Sequence, residues 1–177
     1  MKTLQEIYNK YSTESPVAGG DKGTVHSYIN DYYADALEPY RSTAVKVLEI
    51  GINQGHSLMM WKEYFLQAEI IGVDIKVPNV NTGCRMIEGD ATNPNTFGEL
   101  TGFDVIIDDG SHVFKHQINS FNLLFPKLNA GGIYIIEDIR DIDSSRTAFL
   151  NLHPSVQIFD MRNNKNRPDD VIVQIKK

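Results

Sequence analysis

The chain is poor in the residues that staple, anchor or span. It has one cysteine, Cys84, in 177 residues. No disulfide can form within it, so a fold of this size must rest on an apolar core. A single thiol fits a reducing compartment, and a cytoplasmic location is the expectation. Within GCRMIEGD that thiol is expected to be buried and structural. No apolar run approaches the roughly 20 residues needed to cross a bilayer. The opening MKTLQEIYNKY lacks the apolar segment of a leader peptide, so no membrane partner is expected. Positive charge is also short: 17 Lys and Arg face 23 Asp and Glu, for a net charge of -6. An acidic surface repels phosphate backbones, and only the short RNNKNR, Arg162 to Arg167, runs against that trend. Nucleic acid is therefore not an expected partner. Internal repeats and low-complexity segments are absent as well.

What is present is an ordinary globular mixture, 41% hydrophobic and 23% charged, arranged in alternation. VKVLEI (Val45 to Ile50), EIIGVD (Glu69 to Asp74), CRMIEGD (Cys84 to Asp90), FDVIIDD (Phe103 to Asp109) and GIYIIED (Gly132 to Asp138) read as five strands. Near-continuous apolar runs imply strands covered on both faces, as in a parallel sheet. Helical stretches separate them. GHSLMMWKEYF follows the first strand, with Met59, Met60 and Trp61 expected in the core. After the fourth strand, Phe114, Ile118, Phe121, Phe125 and Leu128 recur at helical spacing. NAGG then supplies a stop, where Gly131 or Gly132 can take a positive φ. VHSYINDYYADALEPY, before the first strand, predicts a helix across the sheet edge. SVQIFDMR and DDVIVQIKK, joined by a polar turn, predict a hairpin. The expected class is α/β, a Rossmann-like sheet that is mostly parallel and ends in an antiparallel hairpin. That pattern fits a class I methyltransferase better than a dehydrogenase. One domain over 1–177 is expected, with 1–44 a helical cap over the cofactor pocket.

In such sheets ligands bind at the carboxyl ends of the strands. The first strand ends LEIGINQG, an acidic residue (Glu49) followed by Gly51 and Gly55 at a helix start. Glycines there allow close backbone approach. The second strand ends in Asp74, placed to accept from ribose hydroxyls. The third ends in Asp90, placed to meet an adenine amino group. Singly, each aspartate reads equally as a cap or turn residue. In this order they point to S-adenosylmethionine (SAM).

The fourth strand ends DDGSH and the fifth IIEDI. Asp108, Asp109, Glu137 and Asp138 would crowd one sheet edge and repel unless a cation sits among them. Oxygen ligands suit Mg²⁺, Ca²⁺ or Mn²⁺. His112, three residues past Asp109, is suited by its ordinary pKa to act as a base. His116 and Gln117 are expected on the exposed face of the next helix.

These segments resemble the macrocin O-methyltransferase family of metal-dependent macrolide-sugar methyltransferases and, more distantly, cephalosporin hydroxylase-type proteins. The likeness is carried by DKGTVHSYINDYY, VLEIGINQGHSL, IIDDGSHVFKHQ and LFPKLNAGGIYIIEDI, from Asp21 to about Ile139. It implies Asp109, Glu137 and Asp138 as metal ligands and His112 as general base. It implies a SAM pocket at Gly51, Gly55, Ser57, Asp74 and Asp90, joined by the neighbouring strand-end residues Glu49 and Asp108. Thr24, His26 and Tyr28 of the N-terminal motif would fold over that pocket. His56 stands where the family usually has a second glycine. The implied activity is Mg²⁺-dependent methyl transfer from SAM to a hydroxyl of a sugar-like or other small vicinal-diol acceptor. A SAM-binding protein without chemistry, and a metal-assisted hydrolase or hydroxylase, are the rival readings. A small hydroxylated molecule is the expected partner, and association of identical chains stays open.

Overall fold

The computed structural model describes residues 1–13 and 20–177. Seven strands form one sheet in the order β3-β2-β1-β4-β5-β7-β6. β1 (Lys46–Ile50), β2 (Glu69–Asp74), β3 (Arg85–Glu88), β4 (Phe103–Asp108) and β5 (Leu128–Ile136) are parallel. β7 (Val171–Lys176) runs antiparallel between β5 and β6 (Gln157–Asp160), so the expected hairpin closes the sheet. The Rossmann-like arrangement follows from two-sided burial. Strands rich in Val and Ile cannot leave a face to water, and helices must cover both sides.

α1 (Leu4–Thr13), a helical stretch from Ile29 to Tyr40 that includes α2 (Ala34–Leu37), and α3 (His56–Tyr64) cover one face. They bury Val47, Val105, Ile107, Ile133 and Ile172 beneath Tyr28, Tyr33 and Trp61. α4 (Phe114–Leu124) and α5 (Ile142–Leu150) cover the other, over Leu48, Ile50, Ile106, Tyr134 and Ile136. A short α6 (Arg162–Lys165) lies in the β6–β7 connection. No helix among the described residues is long and apolar enough to cross a membrane.

Two expectations need correcting. The stretch from Ile29 to Tyr40 lies on the sheet face, not its edge. Tyr32 donates to Gln174 Oε1 of β7 at 3.0 Å and sets its ring against Phe159 at 4.9 Å. The apolar stripe from Phe114 to Leu128 is not one helix. α4 stops at Leu124, Pro126 lies in the next turn where it lacks an N–H to continue the helix, and Leu128 opens β5. The expected cap over 1–44 lies partly outside the described residues. α1 packs along α3, pinned by Lys2, Lys10 and Tyr11 on Glu63, and residues 14–19 lie outside those described. Among the described residues of this segment, Gly20, Asp21 and Lys22 reach the cleft above the strand ends.

The turn after β1 explains its glycine. Gly51 has φ +81, and a Cβ there would lie 2.0 Å from the Asp109 carbonyl oxygen. The constraint is the crossing of two backbones, independent of any ligand. Gly131 has φ +79 but open space around it. Gly131→Ala is therefore expected to cost about 1–2 kcal/mol, the left-handed penalty alone. Gly51→Ala adds the overlap and is expected to cost about 2–5 kcal/mol. Urea unfolding of both variants tests this; equal costs would show that the crossing is not tight.

Candidate active site

Strand parity decides which acidic residues meet. The register pairs Glu49 with Ile107 and Ile107 with Ile135. Side chains alternate along a strand. Glu49, Asp109 and Glu137 therefore leave the sheet on the face of Val47, Val105 and Ile133. Asp108 leaves on the opposite face, in register with Ile50 and Ile136. Alternation would send Asp138 after Asp108. Its backbone instead takes φ +55, which turns the side chain back, and its Oδ1 accepts from the Tyr28 hydroxyl at 2.6 Å. His112 is also left-handed, with φ +54. Such conformations cost about 1–3 kcal/mol each outside glycine and concentrate at functional sites. Here they set His112 Nε2 3.8 Å from Asp138 Oδ2. Asp109, His112 and Asp138 each offer one ligand-type atom within 4.8 Å of the others.

Glu137 stands one layer deeper, outside that group. Its Oε1 accepts from Lys22 Nζ at 2.6 Å and from the Tyr33 hydroxyl. Lys22 also donates to Asp109 Oδ2 at 2.6 Å, and its Nζ is 3.7 Å from Glu49 Oε1. The lysine is 3% exposed. The inference that clustered carboxylates need a cation thus has a first answer within the chain. Lys22 was not among the expected site residues, although it lies in the DKGTVH motif. Charge balance was the signal that could have found it.

One ammonium does not neutralise four carboxylates. Burial would push Lys22 down, but Asp109, Glu137 and Glu49 outweigh it and hold the ammonium well above its usual range. Burial first, then repulsion from Asp109, pushes Glu137 up against the pull of Lys22. Burial raises Asp109 too, opposed by Lys22 and reinforced by Asp138. Glu49 rises to about 7 for the same first reason. The cluster retains a demand for positive charge. It also retains oxygens to meet it. Asp109 and Glu137 each give one oxygen to Lys22, and Asp138 gives one to Tyr28. Among the described residues, no hydrogen bond reaches Asp109 Oδ1, Glu137 Oε2 or Asp138 Oδ2. That donor set suits a hard divalent cation.

The glycine loop opens beside this cluster. A cleft of about 230 Å³ is lined by Lys22, Gly51, His56, Ser57, Asp74, Asp109 and His112, among others. A smaller hollow adjoins it between Ile50, Gly51, Val73, Asp74, Gly110 and Ile75. Ile75, missed in the sequence, is 77% exposed, an apolar surface that a flat ring would cover. Asp74 accepts from the Ile52 and Asn53 amides at 2.9 and 3.1 Å, so it also latches the loop. Ser57 donates to Glu49 Oε2 at 2.6 Å, and Trp61 donates to Oε1 at 3.1 Å. His56 accepts from the Gly20 amide at 3.2 Å, and burial lowers its pKa. It thereby ties the N-terminal segment to α3. These linings fit a nucleoside with a polar tail.

Other expected residues stand elsewhere. Gly55, with φ +83, packs against Thr82 and borders neither hollow. Asp90 is exposed and accepts from Thr92 in its own turn. Thr24 bonds Gly20 and Tyr8. His26 and Tyr28 face Asp138 rather than the glycine loop. They stack at 4.7 Å, and His26 lies 3.6 Å from Asp138 and 3.4 Å from Asp170. Gln117 is buried, not exposed, and donates to the Glu137 carbonyl at 3.1 Å. His116 is exposed as expected. The RNNKNR stretch is engaged internally: Arg162 pairs with Asp143 and Asp160, and Lys165 donates to the Gly23, Thr24 and His26 carbonyls.

No protein-family model matches the chain. It is 37% identical over 139 residues to 8-demethyl-8-alpha-L-rhamnosyl tetracenomycin-C 2'-O-methyltransferase of Streptomyces olivaceus, which is 69% of this chain and 35% of that one. It is 36% identical over 149 residues to demethylmacrocin O-methyltransferase of Streptomyces fradiae, 77% of this chain and 36% of that one. The chain belongs to the macrocin O-methyltransferase family. It spans about a third of the length of these relatives. The MycE methyltransferase of the mycinamycin pathway, solved with Mg, SAH and mycinamycin VI, superposes with a TM-score of 0.77 at 25% identity. That match covers 99% of this chain and 54% of MycE.

Asp108 generates a pH prediction. It is buried on the face away from the cleft, with the Gly110 amide at 3.3 Å and the Tyr134 hydroxyl at 3.4 Å. Burial raises it to about 7. The folded chain then binds this proton more tightly than the unfolded chain. Stability is lost as pH rises from about 4 through about 7. Asp108→Asn is expected to stabilise the protein by about 1–3 kcal/mol at about pH 8 and by almost nothing below about pH 4. Urea unfolding at both pH values measures it; a pH-independent difference would refute the assignment.

Proposed function

We propose that this chain carries the SAM- and divalent-cation-dependent O-methyltransferase activity of its family, acting on a hydroxyl of a sugar-like acceptor with vicinal oxygens. The observation that carries the reading is the position of His112. It lines the cleft above the glycine loop and also a second hollow of about 330 Å³ on its other side. Phe114, Ile139, Ala148, Arg140 and Ser144 help to line that second hollow. An apolar surface with polar points suits a sugar attached to a hydrophobic body.

When bound, SAM supplies an electrophilic methyl group, and the cation supplies charge that favours an ionising hydroxyl. Asp109, Glu137 and Asp138 would hold the cation through the oxygens not engaged by Lys22 and Tyr28. Gly51, Ser57, Asp74 and Ile75 would hold SAM along the glycine loop. His112 takes the acceptor proton at Nε2, the ring atom turned toward Asp138. Holding acceptor and donor on either side of His112 favours reaction by position alone. A plain SAM binder would have no use for two strained residues facing each other beside the cleft.

A second role for His112 has its own support, because it falls within the same 4.8 Å group as Asp109 and Asp138. It could then be a ligand. The two roles separate experimentally. As base, His112→Ala is expected to lower kcat by about 10²–10⁴ and leave SAM and Mn²⁺ affinity unchanged. As ligand, it would weaken Mn²⁺ binding, and millimolar Mg²⁺ would restore much of the rate. The activity itself is tested by incubating the protein with SAM, Mg²⁺ and a pool of hydroxylated sugars and glycosides. Mass spectrometry should show the gain of one methyl group, abolished by chelator. Transfer that survives chelation would sink the cation reading.

A further inference from the structure

We propose that Lys22 is the built-in counterion of the cation site: it neutralises Asp109 and Glu137 while no divalent cation is bound, and it weakens the hold of the site on that cation. The inference rests on the reading of Asp109, Glu137 and Asp138 as the ligand set.

The ammonium is held in place by its loop. The turn from Asp21 is closed by Val25 and His26 amides on the Asp21 carbonyl, both at 2.9 Å, and by Ile29 N on the Lys22 carbonyl at 3.2 Å. Lys165 Nζ grips the next carbonyls from outside, at 2.6 Å to Gly23 and 2.7 Å to His26. A Cβ on Gly23 would lie 2.6 Å from the Tyr8 ring, so the loop is packed on that side as well. The Lys22 backbone therefore cannot shift without undoing several contacts, and its ammonium is held by Asp109 and Glu137, both at 2.6 Å. A cation arriving on the outer oxygens of Asp109 and Glu137 must share those carboxylates with the ammonium behind them.

Two consequences follow. Like charges a few ångströms apart repel, so Lys22 lowers cation affinity. Removing one partner of a buried ion pair leaves uncompensated charge, so Lys22 also keeps the chain folded without the cation. A residue with a merely structural role would show only the second effect.

The test uses the whole chain at about pH 8, where ordinary carboxylates are ionised, with Mn²⁺ as the probe. Mn²⁺ binding is followed by electron paramagnetic resonance, and melting is followed in chelator and in Mn²⁺. Lys22→Met keeps the length and removes the charge; Lys22→Arg keeps the charge. Lys22→Met is expected to bind Mn²⁺ about tenfold or more tightly than wild type. It should also melt lower in chelator and gain more from Mn²⁺. Lys22→Arg should stay near the wild-type affinity. A Lys22→Met chain that folds only with Mn²⁺ present would be the same result in stronger form. Equal or weaker Mn²⁺ binding by Lys22→Met, or failure to fold even with Mn²⁺, would overturn the proposal. Wild-type protein that binds no Mn²⁺ at all would instead remove the cation site, so the two failures are distinct.

Discussion

Burying Glu49, Asp109 and Glu137 at adjoining strand ends would strip three carboxylates of water, a cost of several kcal/mol per ion after relaxation. The ammonium of Lys22 makes this arrangement tenable. It reaches Asp109 and Glu137 at 2.6 Å and lies 3.7 Å from Glu49. Around it the remaining donors fall into place: Tyr33 on Glu137, Ser57 and Trp61 on Glu49, Tyr28 on Asp138. The aromatic helical layer over this face is therefore more than apolar cover. It carries the hydroxyl and indole donors that engage Glu49, Glu137 and Asp138, while Asp109 borders the cleft.

The geometry of the site then follows from parity and its breach. Three carboxylates converge because they occupy alternate positions on paired strands. The fourth joins them only because Asp138 leaves the regular backbone at φ +55. His112 makes the matching departure from the neighbouring strand end. The chain holds two unfavourable backbone conformations on adjacent loops, and the side chains they turn approach each other to 3.8 Å.

Much of this was readable in advance where it depended on short-range pattern. Apolar runs marked the strands, and each acidic doublet marked a strand end. The sheet class followed from their alternation with helices. What pattern could not supply was long-range pairing. Lys22 sits 87 residues from Asp109 and 115 from Glu137, and nothing local to it announces either partner. The turn at Asp138 was also hidden, because a left-handed backbone at a residue other than glycine is imposed by its surroundings. Gln117 was placed on the wrong face because its neighbour His116 is polar and exposed, while the helix actually begins at Phe114 and turns Gln117 inward to the Glu137 carbonyl. Strand alternation was enough to send Asp108 and Asp109 to opposite faces of the sheet.

The position of β7 bears on how the molecule is made. It is the last strand in sequence but an interior one in space, seated between β5 and β6. The connection just before it carries Lys165, which grips the loop of Lys22, and Asp170, which faces His26. Lys165 comes 142 residues after Gly23, whose carbonyl it grips, so the clamp on the loop is remote in sequence. Until β7 docks, the edge of β5 presents unpaired N–H and C=O groups, a template for pairing with another chain. Any folding route on which β7 docks last therefore passes through a stage with one adhesive edge and the acidic centre not yet closed.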